Sequence, residues 1–195
     1  MSKYKTSIVV LISGRGSNLR TILESPTGEH VSTVISDNPQ AAGLQTAKAH
    51  GKTVHVVSPK DFTSAEKWTR QLCVVLGEAN PKLVALAGFM RVLPPSVVRA
   101  YSGRMINIHP SLLPQFRGLD THARALAASV TEHGCTVHYV DEGVDTGEII
   151  AQAKVNVLPD DDENSLAARV LKEEHQLYPK IINELLAQLA KGENK

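Results

Sequence analysis

A run of five apolar residues near the N-terminus most constrains how this chain can fold. Residues 8–12 read Ile-Val-Val-Leu-Ile, without the alternation of polar and apolar side chains that marks a strand with one wet face. Such a run is typical of a strand covered on both faces, as in a parallel sheet between helices. It is followed by Ser-Gly-Arg-Gly-Ser-Asn at 13–18 and by a helical segment over about 19–24. The run therefore predicts an α/β protein whose first strand leads into a glycine-rich turn.

The glycine-rich turn predicts an anion-binding site. Backbone N–H groups are unpaired at a helix N-terminus, and the helix dipole is positive there. The dinucleotide fingerprint needs a third glycine where this chain has Leu19, and the Gly-Lys of a Walker motif is absent. A monophosphate is thus the favoured ligand, with Ser17 and Asn18 adding side-chain donors. A plain strand-to-helix turn with Ser17 as N-cap is the alternative.

Further strand and helix patterns define the expected fold. The last two strands are joined by a loop too short for a crossover helix, so they should pair antiparallel. Apolar residues at helical spacing after Ser165 predict a long C-terminal helix, which Pro179 should break or kink. The expected fold is a Rossmann-like three-layer α/β fold with a mixed, mostly parallel sheet. After the first strand, further strands are predicted at residues 31–35, 53–57, 83–87, 105–109, 135–140 and 149–157.

Composition restricts the partners and the compartment. Lysine and arginine number 21 against 20 acidic residues, so nothing favours a nucleic-acid or anionic-membrane partner. Cys73 and Cys135 lie among apolar neighbours and are interpreted as buried free thiols, which favours a reducing compartment. The apolar run at 8–12 is too short for a signal peptide or a membrane span. We therefore expect a cytoplasmic protein; the sequence defines no oligomeric state, and a homodimer stays open.

The predicted strand at 105–109 ends on two polar residues. Asn107 and His109 are two positions apart on an extended chain, so their side chains should point to the same side. Pro110 then stops the strand because it lacks a backbone donor, and Pro114 stiffens the following loop. Ligands lie at the carboxyl ends of parallel strands, which makes this pair a candidate site. The alternative is a turn asparagine beside a satisfied, partly buried histidine.

An acidic loop joins the last two predicted strands. It reads Asp-Glu-Gly-Val-Asp-Thr-Gly at 141–147, which does not fit the spacing of an EF-hand calcium loop, and no metal site is expected. Asp145 is the acid that we place in the site. An amide, a histidine and a carboxylate without a serine or cysteine nucleophile fit acyl transfer to an external nucleophile. Asn107 and a protonated His109 would donate to the developing oxyanion, and Asp145 would favour the imidazolium and help move the proton.

Several motifs resemble those of the formyltransferase family that uses 10-formyltetrahydrofolate. The similarity is carried by Asn-Ile-His-Pro-Ser-Leu-Leu-Pro at 107–114, Gly118, Asp-Thr-Gly at 145–147, Ser-Gly-Arg-Gly-Ser-Asn at 13–18, Ala-Gly-Phe-Met-Arg-Val-Leu at 87–93 and Glu-His at 174–175. It spans nearly the whole chain and points to the members that act on glycinamide ribonucleotide in purine synthesis. It implies one formyltransferase domain over 1–195, with a phosphate-binding half over about 1–103 and a catalytic and folate-binding half over about 104–195.

The resemblance also implies roles for individual residues. The catalytic trio would be Asn107, His109 and Asp145. The phosphate of glycinamide ribonucleotide would lie at Gly16, Ser17 and Asn18, and its ribose at Glu174. The pteridine pocket of 10-formyltetrahydrofolate would be formed by Met90, Arg91, Val92, Leu93, Asn107, Asp141, Glu142, Gly143 and Val144. From the residues alone, the segment at 90–93 fits an aromatic pocket and simple packing equally well.

Three residues depart from the pattern of this family, and two histidines in shared motifs have roles that the resemblance does not define. Arg15 stands where other members often have asparagine, Ala65 where some have arginine near the folate, and Leu171 where some have glutamine near the ribonucleotide. His122 is interpreted as a loop-fixing residue. His138 is interpreted as a strand residue facing the edge of the site, with a structural role as well supported as a catalytic one.

Other readings keep the fold and change the function. Methionyl-tRNA formyltransferases carry a further C-terminal domain for which this chain is too short, and its near-neutral charge argues against tRNA. Formyltetrahydrofolate hydrolases usually have an extra N-terminal domain, for which we expect no room before residue 8. Sugar-nucleotide formyltransferases remain an alternative, as does a non-catalytic module that binds phosphate metabolites.

Overall fold

A computed structural model of the protein describes residues 7–192, and a seven-stranded sheet forms its centre. The strands are β1 (Ile8–Ile12), β2 (Val31–Ser36), β3 (Thr53–Val56), β4 (Leu83–Leu86), β5 (Met105–His109), β6 (Glu132–Tyr139) and β7 (Ile149–Asn156). Their order across the sheet is β3-β2-β1-β4-β5-β6-β7. The chain reverses its direction of travel across the sheet between β1 and β4, and ligands bind at such a switch point in open α/β sheets.

Helices cover both faces of the sheet. They are α1 (Ser17–Glu24), α2 (Gly43–Ala49), α3 (Ala65–Ala79), α4 (Pro95–Ala100), α5 (Thr121–Ala127) and α6 (Glu163–Lys191), with short 3₁₀ turns at Pro26–His30 and Pro59–Asp61. The expected break at Pro179 is wrong, because α6 continues through it. The expected burial of both thiols is confirmed for Cys135 and wrong for Cys73, which is exposed on α3. Asp162, and not Ser165, is the N-cap of α6, and Ser165 completes a capping box with it.

The strand pairing confirms the mixed, mostly parallel sheet. β1 pairs in parallel with β2 and β4, β2 with β3, and β4 with β5. β5 pairs antiparallel with β6, and β6 with β7. Helices connect the parallel strands, whereas the nine residues between β6 and β7 only allow a hairpin. The three-layer α/β fold with late antiparallel strands and a long C-terminal helix is therefore as expected.

Alternate residues of the central strands enter two separate cores. Ile106 and Ile108 join the core beneath α1, α2, α5 and α6, together with Ile8, Val10 and Ile12. Met105 joins the opposite core beneath α3 and α4, together with Val9 and Leu11. This is why the run at 8–12 has no polar positions: each of its faces is buried under helices. The face that carries Met105 also carries Asn107 and His109, since side chains alternate along a strand.

The C-terminal helix is bound directly to the centre of the sheet. The fully buried hydroxyl of Tyr178 donates to the carbonyl oxygen of Leu86 at 2.8 Å and lies 3.3 Å from that of Ile106. These bonds join α6 to β4 and β5. Within residues 7–192, no helix is both long enough and apolar enough to cross a membrane. The division of the chain into a phosphate-binding and a folate-binding half stays a prediction.

Candidate active site

The end of β5 presents Asn107 and His109 to one carboxylate. Asn107 Nδ2 lies 3.5 Å from Asp145 Oδ1, and His109 Nδ1 lies 3.3 Å from Asp145 Oδ2. Both residues therefore face the same side of the sheet, as the two-residue spacing predicts. The structure brings the three residues of the predicted trio into one cluster, on the face of the sheet that also carries Met105.

Asp145 reaches this cluster by an indirect route. β6 runs antiparallel to β5, and Val140 N donates to the carbonyl oxygen of Met105, so the hairpin loop leaves the sheet beside the start of β5. The loop then folds back over the sheet towards His109. There Asp145 has a φ of 51°, and its Oδ2 accepts a hydrogen bond from Gly118 N at 2.9 Å. A second loop, residues 110–120, thus holds the carboxylate from the other side.

Both ring nitrogens of His109 have neighbours within the protein. Nε2 lies 3.0 Å from the carbonyl oxygen of Phe116, to which it donates, and Nδ1 faces Asp145. Burial lowers the pKa of His109, and the Phe116 carbonyl and the Asp145 carboxylate offset this only in part. His109 is consequently neutral in the resting protein near pH 7. Donation from its Nε2 to a substrate requires that the bond to Phe116 be exchanged for one to the substrate.

Asp145 is ionised. Burial opposes its ionisation, but the contact with His138, the hydrogen bond from Gly118 N and the nearby His109 outweigh that effect and lower its pKa. The site therefore places an ionised carboxylate, which favours a proton on its neighbours, beside a neutral imidazole, which can accept a proton. This arrangement suits proton transfer beside a reacting carbonyl.

His138 belongs to this cluster, and the sequence interpretation did not place it there firmly. It pairs with Asn107 across the β5–β6 ladder, with its Nε2 3.2 Å from Asn107 Nδ2 and 3.5 Å from Asp145 Oδ1. Only the register between β5 and β6 puts the two side chains opposite each other. The available signal was the alternation of Cys135 and Val137 with Thr136 and His138, which places His138 on the polar face once the register is known.

A buried network supports the loop that follows His109. Thr136 Oγ1 donates to the carbonyl oxygen of Ser111 at 2.6 Å and accepts from Leu113 N at 3.0 Å. Gln152 on β7 adds a bond from its Nε2 to the carbonyl oxygen of Leu113 at 2.9 Å. The peptide bond between Leu113 and Pro114 is cis. Strands β6 and β7 thereby position the segment whose carbonyl and N–H groups contact His109 and Asp145.

The glycine-rich turn folds as a tight helix start. Gly16 is the N-cap of α1 with a φ of 75°, and no side chain caps the helix, so Ser17 is not the N-cap. A Cβ on Gly16 would lie 2.7 Å from the Cα of Gly43, because α1 and α2 approach each other there. Only glycine combines this φ with this contact. A cavity of about 320 Å³ opens beside the turn, lined by Arg15, Gly16, Ser17, Arg20, Thr21 and His175.

Asn18 and Glu174 meet at the base of this turn. Asn18 Nδ2 donates to Glu174 Oε2 at 2.6 Å, across a buried contact between α1 and α6. Burial raises the pKa of Glu174, and the Asn18 bond partly opposes this. One hydrogen of the Asn18 amide is thus committed to Glu174, whereas Asn18 Oδ1 has no hydrogen-bond partner among the described residues. The sequence interpretation treated the two residues separately, although they form one unit.

The segment after β4 divides between surface and core. Met90 and Val92 are 68% and 69% exposed, whereas Leu93 is buried in the core under α3 and α4. Arg91 Nε donates to Asp37 Oδ2 at 2.6 Å, which ties the segment to the end of β2. Leu93 does not line the adjoining cavity of about 500 Å³, which is bounded by Pro59, Phe62, Thr63, Ser64, Ala65, Trp68, Met90, Arg91 and Val92. The assignment of all four residues, 90–93, to folate binding stays a prediction.

The acidic loop at 141–147 is held by its own side chains. Asp141 accepts from Thr146 Oγ1 at 2.7 Å and from Gly143 N at 3.1 Å. Glu142 forms an exposed ion pair with Arg99 of α4 at 2.9 Å. Val144 is half-exposed beside Asp145. In the described part of the chain, no group of three or more histidine, cysteine, aspartate or glutamate residues is arranged to hold a metal ion.

The structure shows where the three residues that depart from the family pattern, and His122, are located. Arg15 lines the cavity beside the glycine-rich turn, and Ala65 lines the cavity beside residues 90–92. Leu171 is half-buried on α6, three positions before Glu174. His122 Nδ1 lies 3.2 Å from Nε2 of His133, which joins α5 to β6 as a loop-fixing role requires.

These features define an α/β protein with a glycine-rich turn at a helix N-terminus and an amide–imidazole–carboxylate site, which is typical of a group transferase acting on a carbonyl. Comparison with known proteins identifies the family. A model of the formyl transferase family matches residues 6–182, and the chain belongs to this family.

By name, the individual relatives are phosphoribosylglycinamide formyltransferases and trifunctional purine biosynthetic proteins. The chain is 42% identical over 181 residues to the phosphoribosylglycinamide formyltransferase of Escherichia coli K12, covering 91% of this chain and 85% of that protein. It is 48% identical over 192 residues to the trifunctional purine biosynthetic protein adenosine-3 of Drosophila melanogaster, covering 95% of this chain and 14% of that protein. The solved phosphoribosylglycinamide formyltransferase of Coxiella burnetii matches with a TM-score of 0.85 and 44% identity, covering 90% and 84% of the two chains. The chain thus spans about a seventh of the Drosophila protein's length and most of the bacterial ones.

Proposed function

We propose that the protein transfers the formyl group of 10-formyltetrahydrofolate to the amine of glycinamide ribonucleotide. The observation that carries this proposal is the cluster at the end of β5, in which Asn107 and His109 each lie within 3.5 Å of the Asp145 carboxylate. The names of the relatives support the choice of substrates, because the bacterial relatives match over most of their length. The reaction is one step of purine synthesis, for which we expect a cytoplasmic location.

The phosphate of the ribonucleotide would bind at the N-terminus of α1. Gly16 and Ser17 present unpaired backbone N–H groups to the cavity of about 320 Å³, where the helix dipole favours an anion. Arg15 and Arg20 add positive charge at the rim of this cavity. Glu174, held by Asn18 beneath the turn, supplies an acceptor for a ribose hydroxyl.

The co-substrate would lie between the segment at 90–92 and the acidic loop. Exposed Met90 and Val92 offer an apolar wall for a flat ring, and Phe62 and Trp68 line the cavity beside them. Backbone groups of residues 141–144 would meet the polar edge of that ring, apart from Gly143 N, which donates to Asp141. The residues therefore fit a reduced folate, which supplies the activated formyl carbon.

The chemistry needs a donor for the formyl oxygen and an acceptor for the proton of the amine. The nitrogen of the amine attacks the formyl carbon, the bond from that carbon to the folate nitrogen breaks, and negative charge develops on the formyl oxygen in between. The Asn107 amide donates to this oxygen. His109 joins as a donor once it is protonated and its Nε2–H has left the Phe116 carbonyl.

Asp145 and His109 handle the proton as a pair. The amine loses one proton as it attacks, and neutral His109 beside ionised Asp145 is ready to accept it. The imidazolium is stabilised by the carboxylate at 3.3 Å and can pass the proton on towards the departing folate nitrogen. Gly118 N, which holds the other side of Asp145 Oδ2, keeps the carboxylate oriented during this exchange.

The test is a formyl-transfer assay in which the acceptor is varied. Glycinamide ribonucleotide should be formylated with release of tetrahydrofolate, whereas methionyl-tRNA and amino-sugar nucleotides should not react. His109→Ala and Asp145→Ala should each lower turnover by about 10² or more, since each removes a group that meets the developing charge. The control is His55→Gln, because His55 lies half-buried on the edge strand β3 far across the sheet.

Two results would contradict the proposal. Turnover that survives in both alanine variants would refute the roles given to His109 and Asp145. Ribonucleotide binding without formyl transfer, seen as a ligand-dependent shift of the melting temperature, would favour a binding module instead. The homodimer stays a separate prediction, which light scattering on the purified protein decides.

A further inference from the structure

His138 lies between two groups that the proposed reaction uses, and the mechanism above gives it no part in the transfer. It is buried on β6 opposite Asn107. Its Nδ1 lies 2.8 Å from the carbonyl oxygen of Tyr139. A carbonyl oxygen can only accept, so Nδ1 keeps its hydrogen in both charge states of the ring. Nε2 is therefore the ring nitrogen whose proton can come and go.

Two neighbours require opposite protonation states of Nε2. Asn107 Nδ2, at 3.2 Å, is a donor and requires a lone pair on Nε2. Asp145 Oδ1, at 3.5 Å, is an acceptor and requires a proton on the same atom. One nitrogen cannot satisfy both demands at once. The protonation state of His138 thus decides which of the two contacts is a hydrogen bond.

The protonation state of Nε2 also sets the orientation of the Asn107 amide. With Nε2 unprotonated, the two hydrogens of Nδ2 are directed at His138 and at Asp145, as the two distances from Nδ2 show. With Nε2 protonated, the ring donates to Asp145 and favours the amide oxygen of Asn107 as a second acceptor. A half-turn of the amide then releases its NH₂ group towards the substrate. Only this second orientation provides a donor for an oxyanion.

We propose that His138 is a positioning residue that sets, through the proton on Nε2, which end of the Asn107 amide faces the reacting carbonyl. The consequence for catalysis rests on the proposed function, whereas the orientation of the amide does not. The titratable groups that face the ring are Asp145, from the hairpin loop, and His109, from β5. When the proton is absent from Nε2, the amide oxygen faces the substrate and the formyl oxygen has no donor from Asn107.

The orientation can be followed without turnover by NMR on ¹⁵N-labelled protein. The side-chain NH₂ signals of Asn107 should shift with pH in step with the ring nitrogens of His138. In the His138→Gln variant, the ring nitrogen that gains and loses the proton is absent, so the Asn107 signals should lose the pH dependence that follows His138. The His55→Gln variant is the matched control and should keep the wild-type titration. Asn107 signals that do not follow His138 in the wild-type protein would overturn the inference.

Kinetics test the consequence. His138→Leu removes the ring and should lower kcat by about 10², the loss that follows when one oxyanion donor is removed. His138→Gln should keep kcat within about tenfold of wild type, since its amide still donates where protonated Nε2 does. In an Asn107→Ala background, His138→Leu should cost less than about threefold more, because residues that act through one contact are non-additive. KM for the ribonucleotide should hardly change.

The outcomes separate the two proposals. A wild-type protein without formyl transfer would refute the proposed function, and the NMR titration would still decide the orientation of Asn107. Losses in kcat that multiply in the double variant would show that His138 acts independently of Asn107, and would refute the positioning role. If His138→Leu fails to fold, the NMR comparison of the wild-type protein with His138→Gln still tests whether His138 orients the Asn107 amide.

Discussion

The imidazole of His133 makes the stability of this protein depend on mildly acidic pH. His133 is 1% exposed on β6, with its Nε2 3.2 Å from Nδ1 of His122 and its ring against Phe116. Burial and the neighbouring His122 and His109 lower its pKa to about 4. The unfolded chain has the ordinary value near 6.5, so between these values it binds a proton that the native protein does not bind.

The sign and the size of the effect follow from linkage. Stability from this residue is fully present above about pH 6.5, decreases as the pH falls, and is lost by about pH 4. With a pKa of about 4, the free energy of unfolding should fall by about 2 kcal/mol at pH 5 and about 3 kcal/mol at pH 4 through His133 alone. The pKa values of His109 and His122 are also lowered by burial and add to the same trend.

Urea unfolding of the wild-type protein and of His133→Gln between pH 4 and pH 7 isolates this contribution. Trp68, the single tryptophan, is buried under the sheet and reports the transition by fluorescence. The difference between the two proteins should change by about 3 kcal/mol across this range, because the other histidines remain in both. The control His55→Gln should follow the wild-type curve. A difference that changes by less than about 1 kcal/mol would refute the argument that His133 is buried in its neutral form.

Three further predictions concern the frame of the site. Gly16→Ala should destabilise the protein by about 2 kcal/mol in urea unfolding and raise KM for the ribonucleotide, because Gly16 has a positive φ and lies against Gly43. The control Gly14→Ala, whose Cβ would point into open space, should change neither the stability nor KM. Tyr178→Phe should lower the free energy of unfolding by about 1–2 kcal/mol, measured by chemical denaturation, because a buried hydrogen bond is lost without a cavity. Asp37→Asn removes the charge that holds half-exposed Arg91. In initial-rate assays it should raise KM for 10-formyltetrahydrofolate about fivefold, or about 1 kcal/mol, and leave KM for the ribonucleotide unchanged.

Much of the fold was predictable because its signals are local. The five-residue run of β1 shows no polar position, and the structure buries every one of its side chains under two cores. The short link between β6 and β7 requires antiparallel pairing, which the sheet confirms. The predicted break at Pro179 was wrong because it weighed only the lost hydrogen bond and the steric clash. In α6 that cost, of about 3 kcal/mol, is exceeded by the burial of Tyr178, Ile181 and Ile182 against the sheet.

The candidate site was predictable in part. The spacing of Asn107 and His109 places them on one face whatever the rest of the chain does, since the period of a strand is two. His138 was underrated because its position depends on the register between β5 and β6, and that register is a property of the whole sheet. The bond between Asn18 and Glu174 joins residues 156 positions apart, which no local pattern can indicate.

The sequence by itself determined the strand-and-helix order, the glycine-rich turn at the start of α1 and the shared face of Asn107 and His109. These follow from backbone sterics and side-chain periodicity over a few residues. Only the tertiary structure decided that the hairpin loop folds back to bring Asp145 to His109, and that Nε2 of His138 stands between Asp145 and Asn107. Those contacts arise where a sheet and two loops pack together, and their electrostatics depend on burial that exists only in the folded chain.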